Sequence, residues 1–183
     1  FLQSQEQSAA QRVSNRLRFG GQGRYLIAYL GDDFDFIVKM PVTPEKYDVV
    51  RRIWLGHGFK VARQRLNGFA VPTLVLDAAG GNKKEFVYHA DGTERRKEEL
   101  AIVQFKVERL MDKLKSLARG GDLEGAKTLI GKFRECLIGI FRRGVIDADF
   151  DAVLYNFGVD GKSGNILIFD FGDLTTGYDM ENM

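Results

Sequence analysis

The sequence predicts an α+β fold in two parts: a small antiparallel sheet with one helix, then a mainly helical part. Three observations carry this. Short apolar runs separated by glycine and acidic turns fill Leu17 to Ala90. Two long stretches follow in which apolar residues recur every three or four positions, split by Gly120-Gly121. The last quarter returns to short apolar runs around an Asp160-Gly161 turn. The expected organisation is a flexible lead-in over residues 1–16, a first domain over 17–90 and a second over 91–183.

The elements follow in order. Gly20-Gly21-Gln22-Gly23 and Gly31-Asp32-Asp33 divide the first stretch into strands, the third of them Phe36 to Met40. Thr43-Pro44-Glu45 is a helix start, with Thr43 as N-cap, Pro44 in the first turn and Glu45 favourable there. Val49, Val50, Ile53 and Trp54 fall at helical spacing, and Gly56 or Gly58 is expected to end that helix. Val71 to Asp77 and Lys84 to Ala90 are expected to pair through the loop Ala79-Gly80-Gly81-Asn82. Asp91-Gly92 is the boundary candidate.

Beyond it, Leu100, Val103, Val107, Leu110, Leu114 and Leu117 suggest one long helix. Asp122 can cap the next, with Leu123, Ala126, Ile130, Phe133, Leu137 and Phe141 facing inward and Gly144 as the stop. Two helices joined by a short glycine turn should lie antiparallel. A coiled-coil pairing of Leu100 to Leu117 with another chain is the competing reading.

Composition excludes several classes. The 183 residues carry 27 basic and 25 acidic side chains, a net charge of +2, which favours neither nucleic acid nor an anionic membrane. A single cysteine, Cys136, excludes an internal disulfide, and its place in an apolar helical pattern makes it a core residue. No apolar run approaches the roughly 20 residues of a membrane span. The chain opens on Phe1 without a methionine, as expected of a processed or truncated product, and a cytoplasmic location is expected. His57 and His89 are assigned no metal.

The segment Asp149 to Gly172 carries the chemistry. Asp151 and Asn156 form Asp-x-x-x-x-Asn; the Asp160-Gly161 turn and the strand Ile166 to Phe169 lead to Asp170-Phe171-Gly172. That order suits phosphoryl transfer: a loop carboxylate to take the proton of an attacking hydroxyl, then an amide oxygen and a carboxylate for a hard cation. Asp151 is the preferred base, Asn156 and Asp170 the metal ligands; Asp147 and Asp149 stay open as alternatives to Asp151. Gly21 and Gly23 let backbone N–H groups approach phosphates, and Lys39 sits in a strand from which it could reach them.

These residues resemble the protein-kinase-like superfamily, and specifically the small bacterial kinase-like proteins of the PhoP regulatory network. The resemblance rests on Gly21-Gln22-Gly23-Arg24, Tyr29 and Lys39, with paired helices leading directly to the catalytic loop. It covers roughly Leu17 to Leu174. It implies a two-lobed protein-kinase-like fold with a reduced, mainly helical C-lobe, with ATP and Mg as cofactors. Adenine would meet a hinge near His89 to Asp91, including Ala90. The implied function is an ATP- and magnesium-dependent phosphotransferase acting on an unknown small-molecule or protein acceptor. The alternative is a pseudokinase, a non-catalytic nucleotide- or partner-binding regulatory module.

Three departures from the family pattern bear on activity. Asp149-Phe150 stands where the family has His-Arg before its catalytic Asp. The helix after Lys39 offers no clear glutamate to orient it, only Glu45 and Asp48 early on. The chain ends eleven residues after Gly172, without the peptide-docking segments of the larger kinases.

Overall fold

The structure, a computed structural model, describes residues 17–24, 26–31, 34–43, 46, 49–77, 89–90, 93–94, 100–149, 151 and 153–177. The expectations for the lead-in, for Pro44, Glu45 and Asp48, for Lys84 to Tyr88 and for Asp91-Gly92 lie outside the described residues. Contacts divide the chain into two compact units, Phe1–Val50 with Thr73–Phe105, and Arg51–Pro72 with Lys106–Met183.

The first unit is built on a five-stranded antiparallel sheet. Its strands are β1 (Leu17–Gln22), β2 (Leu26–Gly31), β3 (Phe36–Pro41) and β4 (Thr73–Asp77); after the short pair β5 (His89–Ala90) and β6 (Thr93–Glu94) comes β7 (Leu100–Phe105). The order is β1-β2-β3-β7-β4, so β7 lies between β3 and β4 and is hydrogen-bonded on both sides. Val38, Met40 and Ala101 are buried on one face, with Tyr29, Phe36 and Val103 packed against them. Strand alternation puts Lys39 on the opposite face, paired with Ala28 and Ile102.

One expectation is corrected here. Leu100–Phe105 is a central strand, not the start of a helix running to Leu117. Six consecutive residues with Ile, Val and Phe among them suit a strand closed in on both edges, and a 3–4 spacing of leucines does not distinguish the two. Thr73–Asp77 pairs with this strand, Thr73 opposite Gln104; of its expected partner, Lys84 to Ala90, only His89–Ala90 is described, and it pairs with Thr93–Glu94.

The second unit begins with α1, wide π-turns over Val50–Phe59 that run on into α-helical Lys60–Arg65. The helix therefore continues through Gly56 and Gly58, contrary to the expected stop. A Cβ on Gly58 would run into the carbonyl oxygen of Phe171, so this glycine permits a close backbone approach and is not a terminator. After β8 (Glu108–Arg109) come α2 (Leu110–Arg119) and α3 (Leu123–Phe141). Gly121, at φ 76°, turns the chain between them. Asp122 caps α3 as expected, its carboxylate accepting from the Gly125 N–H at 2.8 Å.

The buried stripe of α3 is Leu129, Cys136 and Ile140, with Phe133 edge-on to Phe157. This corrects the expected stripe: Leu123 and Ile130 are exposed. The remaining strands are short: β9 (Val145–Asp147), β10 (Phe157–Val159), β11 (Ile166–Ile168) and β12 (Leu174–Thr176). β10 pairs with β11 and β8, and β9 pairs with β12. Burial pushes the Cys136 thiol up to about 12, and its S–H donates to the Ile166 carbonyl, the core role expected of it. Among the described residues no helix is long and apolar enough to cross a membrane.

Candidate functional site

The polar residues that the sequence singles out in the second unit meet beside three short strands. β9 ends at Asp147, Asn156 stands immediately before β10, and Asp170 follows β11 by two residues. The β10–β11 register, Phe157 opposite Ile168, brings the two feet of this hairpin together. There the Asn156 carbonyl accepts from the Phe169 N–H at 2.9 Å and from the Asp170 N–H at 3.4 Å. The hairpin thus fixes the spacing between an amide and a carboxylate that lie fourteen positions apart in sequence.

Asn156 and Asp147 are both buried, and the Asn156 Nδ2–H donates to Asp147 Oδ2 at 3.0 Å. The other carboxylate oxygen, Oδ1, accepts from the Asp149 backbone N–H at 3.1 Å. Burial pushes the Asp147 carboxyl above its ordinary value; hydrogen bonds from Asn156 and Asp149 oppose the shift, and the nearby charges of Asp170 and Asp149 add to it. The amide orientation follows from this contact. A carboxylate only accepts, so the NH2 end of Asn156 must face Asp147 and its oxygen must face away.

Asp170 is held from α1. Its Oδ1 accepts from the Trp54 indole N–H at 3.3 Å and from the Gly172 N–H at 3.1 Å. Phe171 is buried in a stack with Trp54 and Phe59, at centroid separations of 5.0 and 6.4 Å. Gly58 makes this approach of helix to backbone possible.

Asp170 and Asn156 are therefore brought together, and Asp147 joins them as the hydrogen-bond partner of Asn156. Asp149 is half-buried beside Asp147, and Asp151 stands exposed on a turn. In the first unit Lys39 is buried in β3. Gly21 lies within β1 at a bulge in its pairing with β2, and the turn closes through the Gly23 N–H on the Leu26 carbonyl at 2.8 Å. Ala90 belongs to the short β5–β6 pair. Along the chain the two units alternate at Val50–Arg51, Pro72–Thr73 and Phe105–Lys106.

Sequence reasoning missed Trp54, which its helical spacing marked only as core. The signal was present: a buried tryptophan usually finds a partner for its N–H.

The donor set suits magnesium in one respect, since an amide oxygen and a carboxylate are hard ligands for an ion that keeps several waters. Among the described residues no group of three or more His, Cys, Asp or Glu is arranged to hold a metal.

No protein-family model matches the chain, and no curated protein does. Solved structures do. WbdD in complex with a kinase inhibitor is 20% identical with a TM-score of 0.51, over 90% of this chain and 34% of that one. Monomeric WbdD is 19% identical with a TM-score of 0.50, over 84% of this chain and 33% of that one. The chain spans about a third of the length of these structures. At this identity the likeness concerns the fold alone: an α+β, kinase-like fold with a small antiparallel sheet.

Proposed function

We propose that the chain is a kinase-like, ATP- and magnesium-dependent phosphotransferase whose cation is held by Asn156 and Asp170. The observation that supports this is the junction at the feet of the β10–β11 hairpin. There Asp147 turns the Asn156 amide so that its oxygen is presented, and the same hairpin holds Asp170 beside it. Magnesium would neutralise the triphosphate charge. The chain's own part is then positioning, and phosphoryl transfer asks for little else.

Two loop carboxylates, Asp149 and Asp151, are available to accept the proton of the acceptor hydroxyl, and single alanine substitutions separate them. Lys39 and the backbone N–H groups around Gly21 and Gly23 retain the proposed role of phosphate contacts. A protein or small-molecule hydroxyl is the acceptor.

A second reading, the pseudokinase, is favoured by one feature. From Val49 to Arg65 the helix contains no acidic residue that could orient a strand lysine. The two readings differ in whether bound ATP loses its γ-phosphate.

Thermal unfolding with ATP, with and without magnesium, tests the shared part. Ligand at 100 times its dissociation constant adds about 2.7 kcal/mol of stability. A magnesium-dependent rise that Asp170→Asn abolishes is the expected result; no rise under any condition overturns the proposal.

A further inference from the structure

We infer that Trp54 is the positioning residue for Asp170: its indole N–H fixes the orientation of the carboxylate that the proposed cation site requires. The inference rests on that site. Three observations carry it. First, the Trp54 and Gly172 N–H groups both donate to Oδ1 of Asp170, so both bonds fall on one oxygen and Oδ2 lies outside them. Two donors on one oxygen set the rotation of the carboxylate and direct the other oxygen elsewhere.

Second, Trp54 is itself fixed. It is 4% exposed, stacked 5.0 Å from Phe171 and 6.1 Å from Phe59. The Phe171 carbonyl lies where a Cβ on Gly58 would stand, so the helix carrying the indole packs directly on the backbone next to Asp170.

Third, the donor is neutral. A lysine or arginine at this place would also orient Asp170 but would cancel its charge and compete with a cation. An indole N–H orients the carboxylate and leaves its charge intact.

The lone tryptophan makes the test direct, because the chain has one indole resonance. Asp170→Ala should shift the indole N–H cross-peak of 15N-labelled protein, and Mn2+ should broaden it. Free Mn2+ measured by electron paramagnetic resonance, with and without ATP, then gives the affinity. Replacing the tryptophan by benzothienylalanine puts sulfur in place of the N–H and keeps the ring shape. It should weaken Mn2+ binding about tenfold. Replacement by 7-azatryptophan retains the donor and should restore wild-type affinity.

Unchanged Mn2+ affinity in the benzothienylalanine protein, with wild-type binding intact, overturns the role of Trp54 and leaves the cation site standing. No Mn2+ binding by the wild type overturns the cation site and the positioning role together. An indole resonance indifferent to Asp170→Ala removes the contact itself.

Discussion

Two hairpins of this protein, β1–β2 and β10–β11, use similar lengths of chain in opposite ways. In β1–β2, Arg18, Phe19 and Gly20 are exposed, the pairing is broken by a bulge after Phe19, and the turn closes through one backbone bond from Gly23. In β10–β11 all three residues of β10 are buried. Its loop is tied by the Asp160 carboxylate, which accepts from the Ser163 hydroxyl and from the Lys162 and Ser163 N–H groups. Those bonds, the Ser163 hydroxyl first, hold the Asp160 carboxyl below its ordinary value.

The difference follows from what each hairpin offers. The first presents backbone N–H groups, which any glycine-rich turn supplies. The second carries Asn156 and Asp170 at its feet, and side chains that must meet a small cation have to be placed by packing and hydrogen bonds around them.

If that contrast is right, substitutions should divide accordingly. Phe157→Ala should have the largest effect. Phe157 is fully buried against Phe133, and its loss should cost about 3–5 kcal/mol in urea unfolding. The exposed Phe19 offers no such anchor. Gly58→Ala comes next. A helix-interior glycine to alanine change ordinarily gains about 1 kcal/mol. Here the new methyl meets the Phe171 carbonyl, backbone that cannot swing aside, and a net loss of about 3 kcal/mol with red-shifted Trp54 emission is expected.

Gly21→Ala in the first hairpin should be milder. Nothing lies within 4 Å of the added methyl, and the cost comes from a φ of 152°, about 1 kcal/mol. A larger loss there would erase the contrast.

The finest test is a change of slope. The Asp147 carboxyl titrates above its ordinary value in the folded chain and at that value when unfolded. The folded state therefore holds the proton more tightly just above the ordinary carboxylate range, and stability should fall as pH rises through that window. In metal-free buffer Asp147→Asn should flatten this part of the pH–stability curve while keeping an acceptor for Asn156. An unchanged slope would show that Asp147 does not titrate within this junction.

Legibility followed the range of the interactions. The β10–β11 hairpin was readable because its turn, its apolar strands and its flanking Asn156 and Asp170 lie within one short window. The β7 strand was not. Leu100 to Leu117 satisfies a helical spacing, and only pairing with β3 and β4 decides that Leu100–Phe105 is extended. Gly58 looked like a stop for the same reason: its role depends on Phe171, 113 positions away.

By itself, then, the sequence determined the turns at Gly120-Gly121 and Asp160-Gly161, the cap at Asp122, the core role of Cys136 and the identity of the polar residues around β10–β11. Those depend on backbone dihedral preferences and on which faces neighbouring residues share. Tertiary structure alone decided that Asp147 serves Asn156, that Trp54 serves Asp170 and that Gly58 yields to Phe171. A buried donor, acceptor or close-packed backbone takes its partner from whatever folding brings beside it. For Trp54 and Asp170 that partner lies 116 residues away, beyond any periodicity a sequence can display.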